Sequence, residues 1–227
     1  MVNAQDIQFI SSALTFWDKI NDSEKELLLG SIEQIHYPAG QNIHSGENDC
    51  IGTLLVRTGE LRVYILSEDG REITLYRTNA GEVCILSASC ILKNITFDVH
   101  IDVVQDSEIY HISNSTFQKL MAQNIYVENF SLKSATDRFS DVMWAMEQIL
   151  FMSFDKRLAI FLVSEAAQSN SDFLNMTHEQ IAKFMGSARE VVSRMLKHFS
   201  REGLVELSRG GVRLLDKKRL RALATDR

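Results

Sequence analysis

The stretch Thr177–Leu196, THEQIAKFMGSAREVVSRML, constrains the fold more than any other part of the chain. Thr177 opens a T-x-x-Q spacing, which is typical of a capping box at the start of a helix. Gly186 supplies the backbone freedom that a tight turn between two helices needs. Ser187 and Glu190 repeat the capping-box spacing and predict the start of a second helix. The stretch therefore predicts a helix-turn-helix.

Apolar residues recur at helical spacing in both predicted helices and give each of them a buried face. The expected inward-facing residues are Ile181, Phe184 and Met185 in the first helix and Val191, Met195, Leu196 and Phe199 in the second. The residues expected on and around the opposite face of the second helix are Arg189, Glu190, Ser193, Arg194 and Lys197.

These polar side chains match the chemistry of base edges in the major groove of DNA. Arginine can donate two parallel hydrogen bonds to O6 and N7 of guanine, and glutamate can accept one from N4 of cytosine. Arg189, Glu190 and Arg194 lie in the first two turns, the part of a recognition helix that reaches bases. Glu190 has an alternative role in the capping box with Ser187. The motif itself has an alternative, a capped helical hairpin with a solvated charged face.

A wing is predicted after the second helix. Beyond Gly203, the segment VELSRGGVRLL is typical of two short strands joined by a glycine turn, and Arg209 and Arg213 would bring positive charge to it. The candidate DNA-binding residues are Thr177, Ser187, Arg189, Glu190, Ser193, Arg194, Lys197 and Arg209.

The net charge of −6 for the whole chain argues against nucleic-acid binding, but the two halves of the chain carry opposite net charges. Residues 1–150 contain 10 Lys and Arg against 21 Asp and Glu, which leaves a net charge of −11. Residues 151–227 contain 14 Lys and Arg against 9 Asp and Glu, which leaves +5. The positive charge is thus concentrated in the half that would neutralise phosphates.

The sequence gives no sign of secretion or membrane insertion. No apolar run approaches a membrane span, and the start MVNAQDIQFI lacks the pattern of a signal peptide. Three cysteines do not suggest a disulfide framework. We therefore expect a cytoplasmic protein without a membrane partner.

The region before the helix-turn-helix changes from helical to β-rich character. Residues from Ala4 to about Gly30 are expected to be helical, with a helix starting at Asp22 or Ser23. The β-rich runs that follow are Thr53–Arg57, Leu61–Leu66, Ile73–Arg77, Val99–Val104 and Glu108–Ile112. Short strands at regular turn spacing indicate an antiparallel barrel or jelly roll.

The order of these elements resembles the cyclic-AMP receptor protein and FNR (CRP/FNR) family of bacterial transcription regulators. The run YPAGQNIHSGENDCIGTLLVRTGELRVYILSEDGREITLYRTNAGEVC resembles the family's β-roll. The matching landmarks are Pro38-Ala39-Gly40, Gly46-Glu47, a strand ending at Gly59, the Asp69-Gly70 hairpin and Gly81-Glu82. The run GSAREVVSRMLKHFSREGLVEL resembles the family's DNA-binding helices, so the resemblance covers nearly the whole chain.

The resemblance implies an α+β fold in three parts. These are an antiparallel β-roll sensor domain of the cupin-like or jelly-roll kind over residues 1–124, a dimerisation helix over 125–150 and a winged helix-turn-helix over 151–227. It implies a homodimer that binds palindromic double-stranded DNA under control of a small effector held between the β-roll and the long helix. RNA polymerase is a further partner to consider.

The segment 125–150 carries an apolar stripe. Its members, at alternating three- and four-residue steps, are Leu132, Ala135, Phe139, Val142, Met146 and Ile149. This heptad spacing suits a coiled-coil pair, although such a stripe can also pack on its own core. The resemblance favours the pair, because family members dimerise in parallel through a long helix at this location.

Cyclic AMP is not the expected effector. Cyclic-nucleotide binders of the family use a Gly-Glu pair for the ribose and a later arginine for the phosphate. Aligned on Gly81-Glu82, that pair falls at Ile85 and Leu86, and no arginine occurs from Thr78 to Asp137. A desolvated phosphate without a cationic partner would be costly to bind.

No iron–sulfur cluster is expected either, and the cofactor is left unknown. FNR-type members hold a cluster through N-terminal cysteines, and clusters normally need four thiolates. This chain has three cysteines and none before Cys50. His36, His44, His100 and His111 lie in the β-roll, but hydrogen-bonding roles are favoured over a haem.

The segment CILSASC replaces the family's nucleotide cradle. Its candidate effector contacts are Cys84, Ile85, Leu86, Ser87 and Ser89, joined by Arg138 on the long helix. Isoleucine, leucine and small hydroxyls suit a modest apolar or amphipathic ligand. Arg138 falls close to a ligand-facing position of the family and could meet a carboxylate or phenolate. Its alternative is a salt bridge with Asp137 or Asp141 of the partner across the dimer seam.

Two further alternatives stay open at this point. Cys84 and Cys90 could form a thiol switch, but neither has neighbouring cations in the sequence, and buried inert thiols are the favoured interpretation. A ligand-binding regulatory subunit that acts on protein partners without DNA is the second functional hypothesis. No spacing of catalytic residues indicates an enzyme.

Overall fold

The computed structural model describes residues 2–45, 51–68, 70–85 and 99–225. The chain divides into two compact units, one formed by Met1–Ile65 and Leu75–Met143 and the other by Leu66–Thr74 and Trp144–Arg227. Across the described ranges, no helix is both long and apolar enough to cross a membrane.

The chain starts with two short helices, as the sequence predicts. They are α1 (Ala4–Ala13) and α2 (Asp22–Gly30), with a 3-10 turn at Trp17–Lys19 between them. Asn3 caps α1 and Asn21 caps α2, each in a reciprocal capping box with an acidic side chain three residues later. The second helix therefore starts at Asp22, one of the two predicted residues.

The β-rich region forms an antiparallel sheet, which confirms the predicted fold class. Its strands are β1 (Ile32–Tyr37), β2 (Asn42–Ser45), β3 (Thr53–Leu66), β4 (Glu72–Asn79), β5 (Val83–Cys84) and β6 (His100–Ile112). The strand order is β1-β6-β3-β4, and β2 also pairs with β6 while β5 pairs with β3. Apolar side chains of β3, β4 and β6 pack together into a core.

The sequence predicts four short strands where the structure has two long ones, so the predicted breaks were wrong. The runs Thr53–Arg57 and Leu61–Leu66 both belong to β3, and the runs predicted at Val99–Val104 and Glu108–Ile112 are joined in β6. Gly59 does not end β3, because its register with β6 shifts there while pairing continues. Gly59 has φ +87°, and a Cβ on it would lie 2.8 Å from Cα of Ser107. Glycine thus lets the two strands pass close together.

Two helices complete the first part of the chain after the sheet. α3 (Asn114–Gln123) is capped by Ser113, and α4 (Ile125–Phe151) follows almost immediately. The extent of α4 confirms the long helix that the sequence predicts. A second core cluster lies between α1, α2, α3 and the sheet, and its largest buried side chains include Phe16, Tyr110 and Phe117.

A buried carboxylate ties α1 to the sheet. Asp6 is 1% exposed; it accepts a hydrogen bond from Tyr110 Oη at 2.6 Å and pairs with Arg57 Nη1 at 2.9 Å. The Tyr110 hydrogen bond, helped by the backbone of Asn3 and the charge of Arg57, holds the pKa of Asp6 below its ordinary value despite burial. The folded state therefore favours the ionised form of this group.

Asp6→Asn is expected to lower the free energy of unfolding by about 1–3 kcal/mol at pH 7, because a charged, hydrogen-bonded acceptor is lost in a buried place. The pKa of Asp6 is lower in the folded protein than in the unfolded chain, so its ionised form stabilises the fold at pH values above the ordinary aspartate pKa near ~3.9. That contribution is lost as the pH falls through the folded-state pKa. Urea unfolding at pH 7 and below about pH 4 measures both effects. The exposed Asp18→Asn is the control, and equal losses in both variants would contradict the prediction.

The second unit contains the predicted winged helix-turn-helix. Its elements are α5 (Phe154–Gln168), β7 (Phe173–Leu174), α6 (His178–Met185), α7 (Arg189–Arg201), β8 (Val205–Ser208), β9 (Gly211–Leu214) and α8 (Lys217–Thr225). The three strands form an antiparallel sheet in the order β7-β9-β8. One core cluster, which includes Leu162, Ile181, Leu196 and Val212, lies under all four helices.

Candidate functional site

The first helix of the motif is closed at its start by the predicted capping box. Thr177 Oγ1 accepts a hydrogen bond from the Gln180 N–H at 3.1 Å, and Gln180 Oε1 accepts one from the Thr177 N–H at 2.8 Å. α6 buries Ile181, Ala182 and Met185. The prediction for Ile181 and Met185 is confirmed.

The turn between the two helices depends on Gly186. Its φ is +59°, and the N–H of Ser187 donates to the carbonyl of Ala182 at 3.0 Å, which closes the end of α6. A Cβ at residue 186 would lie only 3.2 Å from the carbonyl oxygen of Glu72. On the other side, Arg157 Nη2 of α5 donates to the carbonyl of Met185 at 2.6 Å. These contacts fix where the second helix begins.

The predicted capping box at Ser187 and Glu190 was wrong. α7 begins at Arg189, its N-cap is Ala188, and that cap makes no side-chain hydrogen bond. The physical reason is that Ser187 belongs to the turn that ends α6, so the helix starts one residue later than the box requires. The capping role that competed with base reading at Glu190 is therefore absent.

The two faces of α7 separate cleanly. Val192, Leu196 and Phe199 are buried, so the sequence-based choice of Val191 was off by one position. The side chains of Arg189, Glu190, Arg194 and Lys197 are exposed, and Ser193 is half-buried among them. One face of the helix is thus anchored, and the other presents the predicted donors and acceptors.

A hydrogen bond that the sequence did not reveal links the two helices on the exposed side. His178 Nδ1 lies 2.9 Å from Ser193 Oγ. Burial, followed by the charges of Arg189 and Lys197, lowers the pKa of His178 below its ordinary value. The signal was present in the sequence only as a histidine directly after an N-cap, and nothing there indicated its partner across the turn.

Arg189 also makes an ion pair, but a weak one. Its Nη1 lies 3.9 Å from Oε2 of Glu179, and about two thirds of each side chain is exposed. Exposed pairs of this kind contribute roughly 0–1 kcal/mol. Arg189 can exchange this partner for another at small cost.

The wing brings one of its two arginines to the tip. β8 and β9 are joined by a turn in which Gly210 has φ +88° and Arg209 is exposed. Arg213 instead lies along β9, where it stacks on Phe173 at 5.4 Å and pairs with Glu206 at 3.6 Å. The positive charge at the wing tip is therefore that of Arg209.

A cavity of about 330 Å³, here called the wing cavity, lies beside these groups. It is lined by residues of the α6 start, the α7 start and the wing, namely Met176, Thr177, His178, Glu179, Arg189, Ser208, Gly210 and Gly211. Two helix starts, the cationic Arg189 and the anionic Glu179 border it, and these two side chains are 3.9 Å apart. The partial positive charge of the helix N-termini favours an anion, and the charge of Glu179 opposes it.

A second group of polar residues surrounds Arg138 in the first unit. Its Nη1 donates to Asp141 at 2.8 Å, its Nη2 lies 3.5 Å from Glu82, and its guanidinium stacks on the Tyr76 ring at 4.8 Å. Burial works against the charge, but Glu82, Tyr76 and Asp141 together raise the pKa of Arg138. Both carboxylates belong to the same chain as Arg138. The sequence-based alternative was a salt bridge with an aspartate of the partner chain.

One of the predicted effector contacts, Cys84, lies next to this group. Cys84 is fully buried, and its Sγ is 3.8 Å from Tyr76 Oη. Ile85 is also fully buried, but it belongs to the core cluster between α1, α2, α3 and the sheet. Burial raises the pKa of Tyr76 well above its ordinary value. The other predicted contacts, Leu86, Ser87 and Ser89, lie outside the described residues, as does Cys90.

α4 exposes a long apolar stripe. Its most exposed members are Leu132, Phe139, Met143, Met146 and Leu150, at 53%, 64%, 46%, 46% and 65%. Ile149 is 38% exposed and Ala135 is half-buried. Val142, which the sequence predicts in the stripe, packs against the core of β3, β4 and β6. Its neighbour Met143 is the exposed residue at this point of the stripe. The exposed side chains repeat at three- and four-residue steps, as in a helix that pairs with another.

Two histidines of the β-roll contact other side chains. His36 Nδ1 lies 3.1 Å from Glu108, and the His100 ring stacks on Tyr64 at 5.2 Å. Burial lowers the pKa of His111. Within the part of the chain that the structure describes, no three His, Cys, Asp or Glu side chains form a group that could hold a metal ion.

Two family models match this chain. The cyclic nucleotide-binding domain matches residues 34–124, and the Crp-like helix-turn-helix domain matches residues 156–223. The first match covers the sheet with α3, and the second covers the helix-turn-helix and its wing.

Similar proteins agree with these matches. A chain from Eubacterium rectale, assigned to transcriptional regulators of the Crp/Fnr family, is 44% identical with a TM-score of 0.91 and covers 93% of this chain and 98% of its own. The cyclic AMP receptor protein of Thermus thermophilus is 23% identical and covers 88% of this chain and 92% of its own length. The transcriptional regulatory protein btr of Bordetella pertussis is 24% identical, with shares of 84% and 81%.

Proposed function

This chain belongs to the CRP/FNR family of transcription regulators, and we propose that it acts as a homodimer that reads a palindromic DNA site under control of a small effector. The observation that carries the proposal is the division of α7 into a buried face and a face of exposed arginine, glutamate and lysine side chains. A helix anchored on one side and polar on the other can enter a major groove.

Base reading falls to the start of α7. Arg189 and Arg194 each donate to a guanine, and Glu190 accepts from a cytosine, because these side chains are exposed and the capping bond does not hold Glu190. The contacts to phosphate and sugar fall to Thr177, Ser187, Ser193, Lys197 and Arg209. We assign a backbone phosphate to the wing cavity, because the start of α6 borders it.

The proposed division of labour follows the three segments expected from the sequence. Residues 1–124 sense, residues 125–150 dimerise and residues 151–227 bind DNA. The exposed stripe of α4 supports the second assignment, since apolar side chains of this size are normally covered. RNA polymerase is the further protein partner proposed for the DNA-bound dimer.

Selection from a random pool of double-stranded DNA tests the proposed function. We expect enrichment of a palindrome whose half-site centres lie about one helical turn, roughly 34–36 Å, apart. Glu190→Ala is expected to relax the preference at one base pair of each half-site, because its acceptor is lost. No enrichment at low salt would overturn the proposal and favour a regulator of protein partners; unchanged base preference in Glu190→Ala would overturn only the role of Glu190.

The effector site is proposed at Arg138, with Cys84 next to the Tyr76 ring on which Arg138 stacks. Ile85, Leu86, Ser87 and Ser89 are proposed as further contacts of the ligand. A half-buried guanidinium that already faces Glu82 and Asp141 suits a ligand with an anionic group, such as a carboxylate or phenolate on a modest apolar body. Both existing carboxylates are more than 40% exposed. Asp141 can turn away, whereas Glu82 also accepts a hydrogen bond from the N–H of Asn79 at 3.0 Å and would stay beside the ligand.

Melting-temperature shifts across a panel of small carboxylic acids and phenols test this site. A ligand present at 100 times its Kd should stabilise the protein by about 2.7 kcal/mol. Arg138→Gln is expected to remove that shift, whereas Lys133→Gln, at an exposed position of α4, should keep it. A shift that survives Arg138→Gln would place the ligand elsewhere.

A further inference from the structure

The hydrogen bond between His178 and Ser193 joins the two helices on the side assigned to DNA. His178 is the first residue of α6, and Ser193 lies in the second turn of α7. Both side chains are half-buried, and His178 also lines the wing cavity. The orientation of the Ser193 hydroxyl therefore depends on an imidazole that borders the wing cavity.

The charged groups around His178 come from both helices. Glu179 follows it on α6, and the charges of Arg189 and Lys197 act on it from α7. The wing contributes the uncharged Ser208 and Gly210 to the same cavity. The two cations disfavour a third positive charge, and so does burial. A DNA phosphate in the cavity would offset both cations and would favour the protonated ring.

The charge of the ring decides what Ser193 can offer to DNA. A neutral imidazole has one donor and one acceptor nitrogen, so Nδ1 can accept the hydroxyl hydrogen of Ser193 and leave only oxygen lone pairs. A protonated imidazole donates from both nitrogens. Nδ1–H then donates to Ser193 Oγ, the hydroxyl hydrogen becomes available to a DNA acceptor, and Nε2–H can donate to a phosphate.

We propose that His178 and Ser193 form a proton-linked DNA contact, in which His178 takes up a proton from solvent as the DNA backbone docks at the wing cavity. Ser193 thereby becomes a hydrogen-bond donor to the DNA. This inference rests on the proposed function, because it requires DNA on the exposed face of α7. Through this hydrogen bond, His178 orients the Ser193 hydroxyl toward a base or phosphate, so His178 is a positioning residue for that contact.

The test is the affinity for the selected DNA site as a function of pH at constant ionic strength. Between about pH 8 and pH 6, around the ordinary histidine pKa near ~6.5, the Kd of the wild type should fall by up to about tenfold per pH unit, the limit for one proton. His178→Gln keeps an amide that can bond Ser193 but does not titrate, so its Kd should not follow this slope. His198→Gln, at the other end of α7, is the matched control and should keep the slope.

A second measurement reads the proton directly. The C2-proton resonance of His178, followed by NMR against pH, should show a higher pKa in the DNA complex than in the free protein. Equal values, a wild-type Kd that is independent of pH, or a slope that His178→Gln retains would each overturn the proposal. If neither the wild type nor any variant binds DNA at any pH, the proposed function fails instead. Should His178→Gln melt below the working temperature, the NMR titration of the wild type decides alone.

Discussion

Arg194→Ala is expected to weaken binding to the selected DNA site by about 5- to 150-fold. The change removes a bidentate donor to guanine, an interaction that contributes roughly 1–3 kcal/mol of discrimination. Arg194 is exposed on α7, one turn after the start of the helix, while Val192 and Leu196 on either side of it hold the backbone in the core. The fold should therefore survive the substitution, and the loss should appear in DNA affinity alone.

The measurement is a titration of both proteins against the selected site and against sites with one guanine replaced. Wild type should discriminate between these sites, and Arg194→Ala should no longer do so at the guanine it contacts. Arg221→Ala, which removes the same charge from the exposed side of α8, is the control. A uniform loss of affinity on all sites would assign Arg194 to phosphate, and equal losses in both variants would contradict the base-reading role.

Phe139→Glu is expected to dissociate the dimer and, with it, to abolish tight DNA binding. Phe139 is 64% exposed at the middle of the α4 stripe, between Leu132 and Met146. In a parallel pair, the two carboxylates would be buried close together, which raises the dissociation constant by at least about 100-fold. A monomer holds only one half-site and loses the gain from binding both at once.

Sedimentation equilibrium gives the oligomeric state, and a DNA titration gives the consequence. Lys133→Glu is the control, since it places the same carboxylate on an exposed position of α4 outside the stripe. Lys133 lies about 100° around the helix axis from Leu132. A Phe139→Glu protein that stays dimeric would contradict the role of the stripe. A wild type that is already monomeric would contradict the proposed assembly.

The elements with strong local signals could be predicted from the sequence. Thr177 and Gly186 fixed the start and the end of α6, because a capping box and a left-handed turn depend on a few neighbouring residues. The long helix α4 followed from its apolar spacing and the wing from its glycine turn. The family resemblance then supplied the order of the parts.

The remainder depended on contacts between distant residues. Nothing near Gly59 indicates that β3 continues past it, since the reason is the close approach of Ser107 on β6. The start of α7 shifted because Ser187 donates its N–H back to Ala182 of the preceding helix. The pairing of His178 with Ser193 and the carboxylates around Arg138 likewise bring together residues that local patterns do not connect.

The closed ends of α6 have a thermodynamic consequence for recognition. A helix whose first N–H groups are capped by Thr177 and whose last carbonyls are closed at Gly186 has already lost its conformational entropy in the free protein. Docking of such a preorganised element carries no coupled folding step, so α6 should add no folding contribution to the heat-capacity change on complex formation. The start of α7 has no such side-chain cap, so any ordering on docking is expected there and not in α6.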